Sequence, residues 1–220
     1  MTSAQSRFME LCVLMISLVI LGSIGMAKPV SAAVDDSEDV IVVLTEELKL
    51  TPEQAQKLGP EIHTFVTTLD QLKADQEKEG ADPKALVTGA KKAQEDYLRA
   101  VKQILTREQF DQYNALKEKA LKSMFRDLAE IKLMDLQPKV GFSDEQLGQL
   151  APLMGNSLYQ VISLAWEHAG RRLRLPQKIR LAKKLKHIQK DTNNAVSKVL
   201  TPEQVKRWDA IKEKARQQKK

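Results

Sequence analysis

Residues 101–120 read VKQILTREQFDQYNALKEKA, and residues 196–215 read VSKVLTPEQVKRWDAIKEKA. Ten of the twenty positions are identical: Val101, Leu105, Thr106, Glu108, Gln109, Ala115, Lys117, Glu118, Lys119 and Ala120 with their mates 95 residues on. Self-similarity at a fixed offset marks an internal duplication. The match extends upstream, where TPEQAQKLGPEI at 51–62 aligns with SDEQLGQLAPLM at 143–154, an offset of 92. The three-residue difference fits the middle break, Gly170 to Pro176 in the second copy against Gly80 to Pro83 in the first.

One short pattern opens a segment four times: Leu50-Thr51-x-x-Gln54, Leu105-Thr106-x-x-Gln109, Phe142-Ser143-x-x-Gln146 and Leu200-Thr201-x-x-Gln204. Each reads as a helix start. The Thr or Ser hydroxyl accepts from an orphan amide of the first turn, and the Gln three residues on reaches back to the cap. Pro52 and Pro202 fall at the first helical position, where no amide hydrogen is needed. Glu or Asp in the first turn faces the positive end of the helix dipole.

Behind these starts, apolar residues recur at spacings of three and four. The first copy gives Ala55, Leu58, Ile62, Phe65, Leu69, Leu72; then Leu86, Ala90, Ala93, Tyr97, Val101, Ile104; then Phe110, Tyr113, Leu116, Ala120, Met124, Leu128, Ile131. The second gives Leu147, Leu150, Met154, Leu158, Val161, Ala165; then Ile179, Ala182, Leu185, Ile188, Ala195, Val199; then Val205, Trp208, Ile211, Ala215. Each stripe needs a partner to bury it. The expected fold is all-α, two tandem helical-hairpin units with about six main helices. Residues 40–48 read as a short leading helix, and Gln137-Pro138 marks the join.

Composition agrees. Aromatics are 5% and charged residues 29% of 220, which disfavours a β-sandwich or barrel. A single Cys excludes an internal disulfide framework and a Cys-rich metal site. No Gly-rich phosphate loop, GxSxG or HExxH occurs, and no nucleophile, base and oxyanion set converges, so no enzyme and no cofactor are expected. The net charge of +6 hides a split. Residues 34–121 carry 12 Lys/Arg against 18 Asp/Glu, and residues 122–220 carry 21 against 10. The basic half should attract acidic partners.

Arg7 precedes an uncharged run, LCVLMISLVILGSIGMA at 11–27, followed by Val30-Ser31-Ala32-Ala33. This reads as a secretory signal cut near Ala32 or Ala33, the alternative being an uncleaved membrane anchor. The expected divisions are 1–33 leader, 34–137 first unit and 138–220 second unit. The leader places the chain in the periplasm or outside the cell and argues against nucleic acid as a partner.

The repeated Leu-Thr-x-x-Gln resembles the signature of the Spy/CpxP family of small bacterial periplasmic helical proteins. The resemblance covers most of residues 45–217, once per copy, with Phe142 and Ser143 departing from the motif. It implies a cradle-shaped arrangement, here as a pseudo-dimer within one chain or as a homodimer. It also implies envelope-stress work: holding unfolding clients without ATP, or alternatively a regulatory or metal-responsive module docking on an envelope sensor.

The candidate partner surface is basic: Arg171, Arg172, Arg174, Lys178, Arg180, Lys183, Lys184, Lys186 and Lys190, with Trp166 just before it. It suits acidic unfolded clients, an acidic sensor domain or anionic lipid, or else simple packing against the acidic residues 70–82. Trp166 reads as a client-facing or a core side chain. Tyr113 and Trp208 are duplicates, which favours a shared core role. His63, His168 and His187 do not repeat and lack a second His or Cys at i+3 or i+4, so no metal site is expected.

Overall fold

The computed structural model describes residues 36–76, 82–169 and 171–217. The expected leader, Gly80 and Gly170 lie outside these residues. Seven helices and no strand make up the described chain: α1 Asp36–Leu48, α2 Pro52–Gln76, α3 Pro83–Ile104, α4 Arg107–Val140, α5 Asp144–His168, α6 Leu175–Val199 and α7 Pro202–Gln217. The fold is all-α, as the periodicity requires. None of the described helices is long and apolar enough to cross a membrane.

The chain divides into two compact units. The first contains residues up to Leu121 with His168–Arg172, and the second contains Lys122–Glu167 and Leu173–Lys220. The join therefore differs from the one read in the sequence. Gln137-Pro138 lies inside α4, and the division falls at Leu121/Lys122. The reason is that α4 does two jobs. Its first half is the last helix of the first unit. Its second half is the leading helix of the second, equivalent to α1.

The ends of these two leading helices confirm the equivalence. Lys49 (φ 52°) and Gly141 (φ 81°) both adopt the left-handed conformation, 92 residues apart. That conformation stops an α-helix and turns the next residue inward. At α1 the Leu50 N–H donates to the Thr45 carbonyl at 3.1 Å, closing the turn. Leu50 and Phe142, which follow, are both buried. Glycine adopts this conformation without strain, whereas Lys49 carries the steric cost of its Cβ.

In the first unit α2 buries Leu58, Ile62, Phe65 and Leu69 along one stripe, facing Ala90, Tyr97 and Val101 of α3. In the second, Leu133, Val140, Phe142, Leu150, Val196, Leu200 and Trp208 form the core. Each buried side chain of this size contributes about 1.5–3 kcal/mol over an exposed one.

The stripes need three corrections. On α4 the expected run Met124, Leu128, Ile131 breaks after Met124. Leu128 and Ile131 are 40% and 56% exposed, while Phe125, Ala129 and Leu133 are buried instead. One residue along a helix is about 100° of rotation. The shift marks where the helix leaves one core and enters the other. On α6, Ile179 and Ala182 are exposed, and the half-buried apolar residues are Leu181, Leu185 and Ile188. On α5, Leu158 and Ala165 are exposed, and Ala151, Gly155 and Leu164 are buried in their place.

Gly155 is buried because α4 and α5 approach backbone to backbone there. A Cβ on Gly155 would stand 2.5 Å from the Arg126 Cα and 2.6 Å from its nitrogen. Gly155→Ala should therefore force the helices apart and lower stability by about 1–3 kcal/mol in urea unfolding. Gly148→Ala, where a Cβ meets nothing within 4 Å, should raise it by about 0.5–1 kcal/mol. Equal stability of the two variants would contradict the close approach.

Candidate functional site

The four motif segments come together in two pairs, one in each unit. The capping boxes form as the sequence predicts. The Gln54 N–H donates to Thr51 Oγ1 at 3.2 Å, and the Thr51 N–H donates to Gln54 Oε1 at 3.0 Å. Thr106 with Gln109, Ser143 with Gln146 and Thr201 with Gln204 repeat this reciprocal geometry at 2.9–3.3 Å. The leading residues Leu50, Leu105, Phe142 and Leu200 are all buried, so each cap is pinned to the core behind it.

The glutamines do more than cap. Gln54 Nε2 donates to Gln109 Oε1 at 2.7 Å, and Gln109 Nε2 donates back to Gln54 Oε1 at 3.2 Å. Each amide's other hydrogen goes to the carbonyl end of a helix. Gln54 reaches the Ile104 carbonyl of α3 at 3.1 Å, and Gln109 reaches the Leu48 carbonyl of α1 at 3.2 Å. The second unit repeats the clasp. Gln146 and Gln204 exchange bonds at 2.9 and 3.0 Å, Gln146 reaches the Val199 carbonyl at 2.8 Å, and Gln204 reaches that of Gly141 at 2.7 Å. Two helix starts and two helix ends thus share one hydrogen-bonded knot.

Sequence reasoning missed the pairing. Its signal was present: the fifth position is Gln in all four motifs, although Glu serves a capping box equally well. Only an amide both accepts from its own cap and donates to its mate.

The candidate partner surface lies elsewhere. Arg171, Arg172, Arg174, Lys178, Arg180, Lys183, Lys184, Lys186 and Lys190 are all exposed. Among the described residues none of these nine has an ion-pair partner. In the same stretch His187 Nε2 stands 3.3 Å from the Asp191 carboxylate, both well exposed. The stretch is helical from Leu175, and the Arg174 N–H donates to Gln177 Oε1 at 2.8 Å, tightening the helix start. Two apolar side chains share this surface, Leu175 at 71% exposure and Ile179 at 48%. Trp166 is half-buried on α5. Tyr113 and Trp208 are both buried, as their duplication suggests.

His63 is exposed on α2 and His168 is half-buried at the end of α5. No group of three or more His, Cys, Asp or Glu among the described residues is placed to hold a metal ion. On α2, burial pushes the Asp70 carboxyl above its usual range, with Lys73 pulling it the other way. Compared with protein-family models, curated proteins and solved structures, the chain matches none.

The clasp makes a pH-dependent prediction. Gln109→Glu keeps the capping acceptor but removes two donors and sets a carboxylate against Gln54 Oε1. Stability at neutral pH should fall by about 1–3 kcal/mol in urea unfolding. The new carboxyl would titrate higher in the folded chain than its unfolded value of about 4.3. The deficit should therefore be full at neutral pH and shrink as pH falls through the folded value toward about 4. Thr201→Ala should cost about 1 kcal/mol and Thr201→Ser almost nothing. A pH-independent deficit in Gln109→Glu would contradict the reciprocal amide pair.

Proposed function

We propose that this chain is a non-enzymatic, ATP-independent chaperone-like protein working outside the cytoplasm, which holds acidic, partly unfolded polypeptides on the first half of α6. The observation that supports this most is the coincidence, along α6 and the residues that lead into it, of uncovered apolar side chains with unneutralised cations. Leu175 and Ile179 are exposed among Arg171 to Lys190, and those cations have no ion-pair partner among the described residues. A surface helix serving only solubility has no need to leave a Leu at 71% exposure at its start.

A partly unfolded acidic chain supplies what this segment lacks. Its carboxylates approach under electrostatic attraction, which speeds encounter. Its apolar side chains then cover Leu175 and Ile179, at about 25 cal/mol per Å² of apolar surface removed from water. Long Lys and Arg stems flank the apolar residues and adapt to clients of different sequence. The leader-like segment at 11–33 and the resemblance to Spy/CpxP proteins support the compartment and the stress role.

The test is light scattering by an acidic, chemically unfolded client diluted into the purified protein without ATP. The wild type should suppress aggregation. Suppression should weaken as salt shortens the Debye length from about 10 Å at 0.1 M to about 3 Å at 1 M. Replacing Arg171, Arg172, Arg174, Lys183 and Lys186 with Glu should abolish it, with the helical circular dichroism retained because all five are exposed. Leu175→Ser with Ile179→Ser should weaken it at every salt concentration. Suppression that survives salt, the charge reversals and the serine pair would remove α6 from the mechanism.

A further inference from the structure

The second half of α4 carries an apolar ridge that its own core does not use. Phe125, Ala129 and Leu133 turn into the core. Ile131 lies two residues from both Ala129 and Leu133, about 200° of rotation away, so it faces outward. It is 56% exposed, and its neighbours on that face, Leu128 and Met134, are 40% and 56% exposed. Three large apolar side chains thus line about 9 Å of one helix, uncovered among the described residues. A single exposed apolar residue is ordinary, whereas a contiguous row marks an interaction surface.

Acids flank the ridge. Asp127, Glu130 and Asp135 each lie within about 100° of Ile131 around the helix. Glu130 has no partner among the described residues. Asp127 pairs with Arg126 at 3.1 Å and Asp135 with Lys132 at 3.8 Å. Both pairs are exposed, so they hold their carboxylates weakly, and each carboxylate keeps further acceptor sites. The outward face of α6 is the counterpart. Leu175, Ile179 and Ala182 are exposed at spacings of four and three, over about 10 Å. Lys178, Lys183 and Lys186 flank them, and none has an ion-pair partner among the described residues. Both faces are exposed in the same chain, so they do not cover each other.

We propose that the acid-rimmed ridge of α4 docks the basic face of α6 from a second copy of this chain. Leu128, Ile131 and Met134 then cover Leu175 and Ile179, and the three lysines meet the three acids. The faces match in length as well as in charge. The contact is heterologous, because the two surfaces differ, and each copy in a pair keeps one face free for a further copy. Two helix faces of this length bury less than the about 1,200–2,000 Å² of a stable interface, so the association is weak and reversible. It occupies the α6 face that the proposed function gives to clients. A chain without a client thus shields its own apolar side chains, and a client competes for them. The docking itself needs no client; only the competition rests on the proposed function.

Sedimentation velocity of the purified protein, over a dilution series without client, tests the docking. The wild type should sediment faster as concentration rises, and about 1 M salt should slow it toward the monomer value by shortening the Debye length to about 3 Å. Asp127→Lys, Glu130→Lys and Asp135→Lys together should hold the chain monomeric, as should Lys178→Glu, Lys183→Glu and Lys186→Glu. Mixing the two variants should restore association, since each supplies the charge the other lacks. Glu46→Lys, Glu47→Lys and Asp111→Lys make the same change of charge at exposed positions of the first unit and should leave association intact. Ile131→Ser with Met134→Ser changes no charge and should raise the concentration required roughly tenfold or more. Helical circular dichroism checks each fold, and if a charge set fails to fold, the serine pair carries the test. A wild type that stays monomeric at every concentration, association that survives the reversals or the serine pair, or a mixture that stays monomeric would each overturn the docking. Suppression of client aggregation by a protein that never self-associates would overturn the docking alone and leave the proposed function standing.

Discussion

Where two helices end and two begin at one point, up to four carbonyls at each end and four amides at each start lack intrahelical partners. They must be satisfied together or the point stays wet. Here one reciprocal pair of glutamine amides in each unit meets much of that demand. Every Gln uses both amide hydrogens and accepts two bonds at Oε1. The clasp therefore fixes which helix starts meet which helix ends, and the apolar stripes follow from that pairing. Each bond is worth only about 0.5–1.5 kcal/mol net. Their geometric agreement matters more, because no glutamate and no shorter amide satisfies all of them at once.

The same constraint explains why the first residue of the motif is apolar. Leu50, Leu105, Phe142 and Leu200 are driven into the core directly beside the clasp. The polar knot at the surface and the apolar anchor beneath it are one device, written in five residues. It appears twice with nearly identical distances despite the change of Leu-Thr to Phe-Ser in one copy.

Much of this was legible in the sequence. Capping chemistry is local, so four helix starts were readable at the residue, and the duplication tied them into pairs. The buried pair Tyr113 and Trp208 followed from the same alignment. What escaped reading is what depends on a neighbour. The rotation of the buried face after Met124 arises because α4 passes from one core to the other, which a uniform periodicity conceals. The exposure of Leu175 and Ile179 escaped for the same reason, since an apolar residue at helical spacing looks identical whether or not another helix covers it. The basic stretch was visible as composition. Its lack of ion-pair partners among the described residues was not. Hydrogen bonds between glutamines 55 and 58 residues apart leave no local trace beyond the choice of amide over acid.

The aromatic stack present in one unit and absent from the other has a thermodynamic consequence. Paired rings add about 0.5–1.5 kcal/mol beyond the area they bury. The two repeats thus carry different aromatic packing, Phe65 on Tyr97 in the first and Phe125 against Tyr159 at 6.3 Å in the second. Heating such a chain need not give one cooperative transition, and the ratio of van't Hoff to calorimetric enthalpy is then expected to fall below one. A single melting midpoint for the whole molecule would average two events. The repeat whose core melts first then sets the lower transition, and the other holds its helices to a higher temperature.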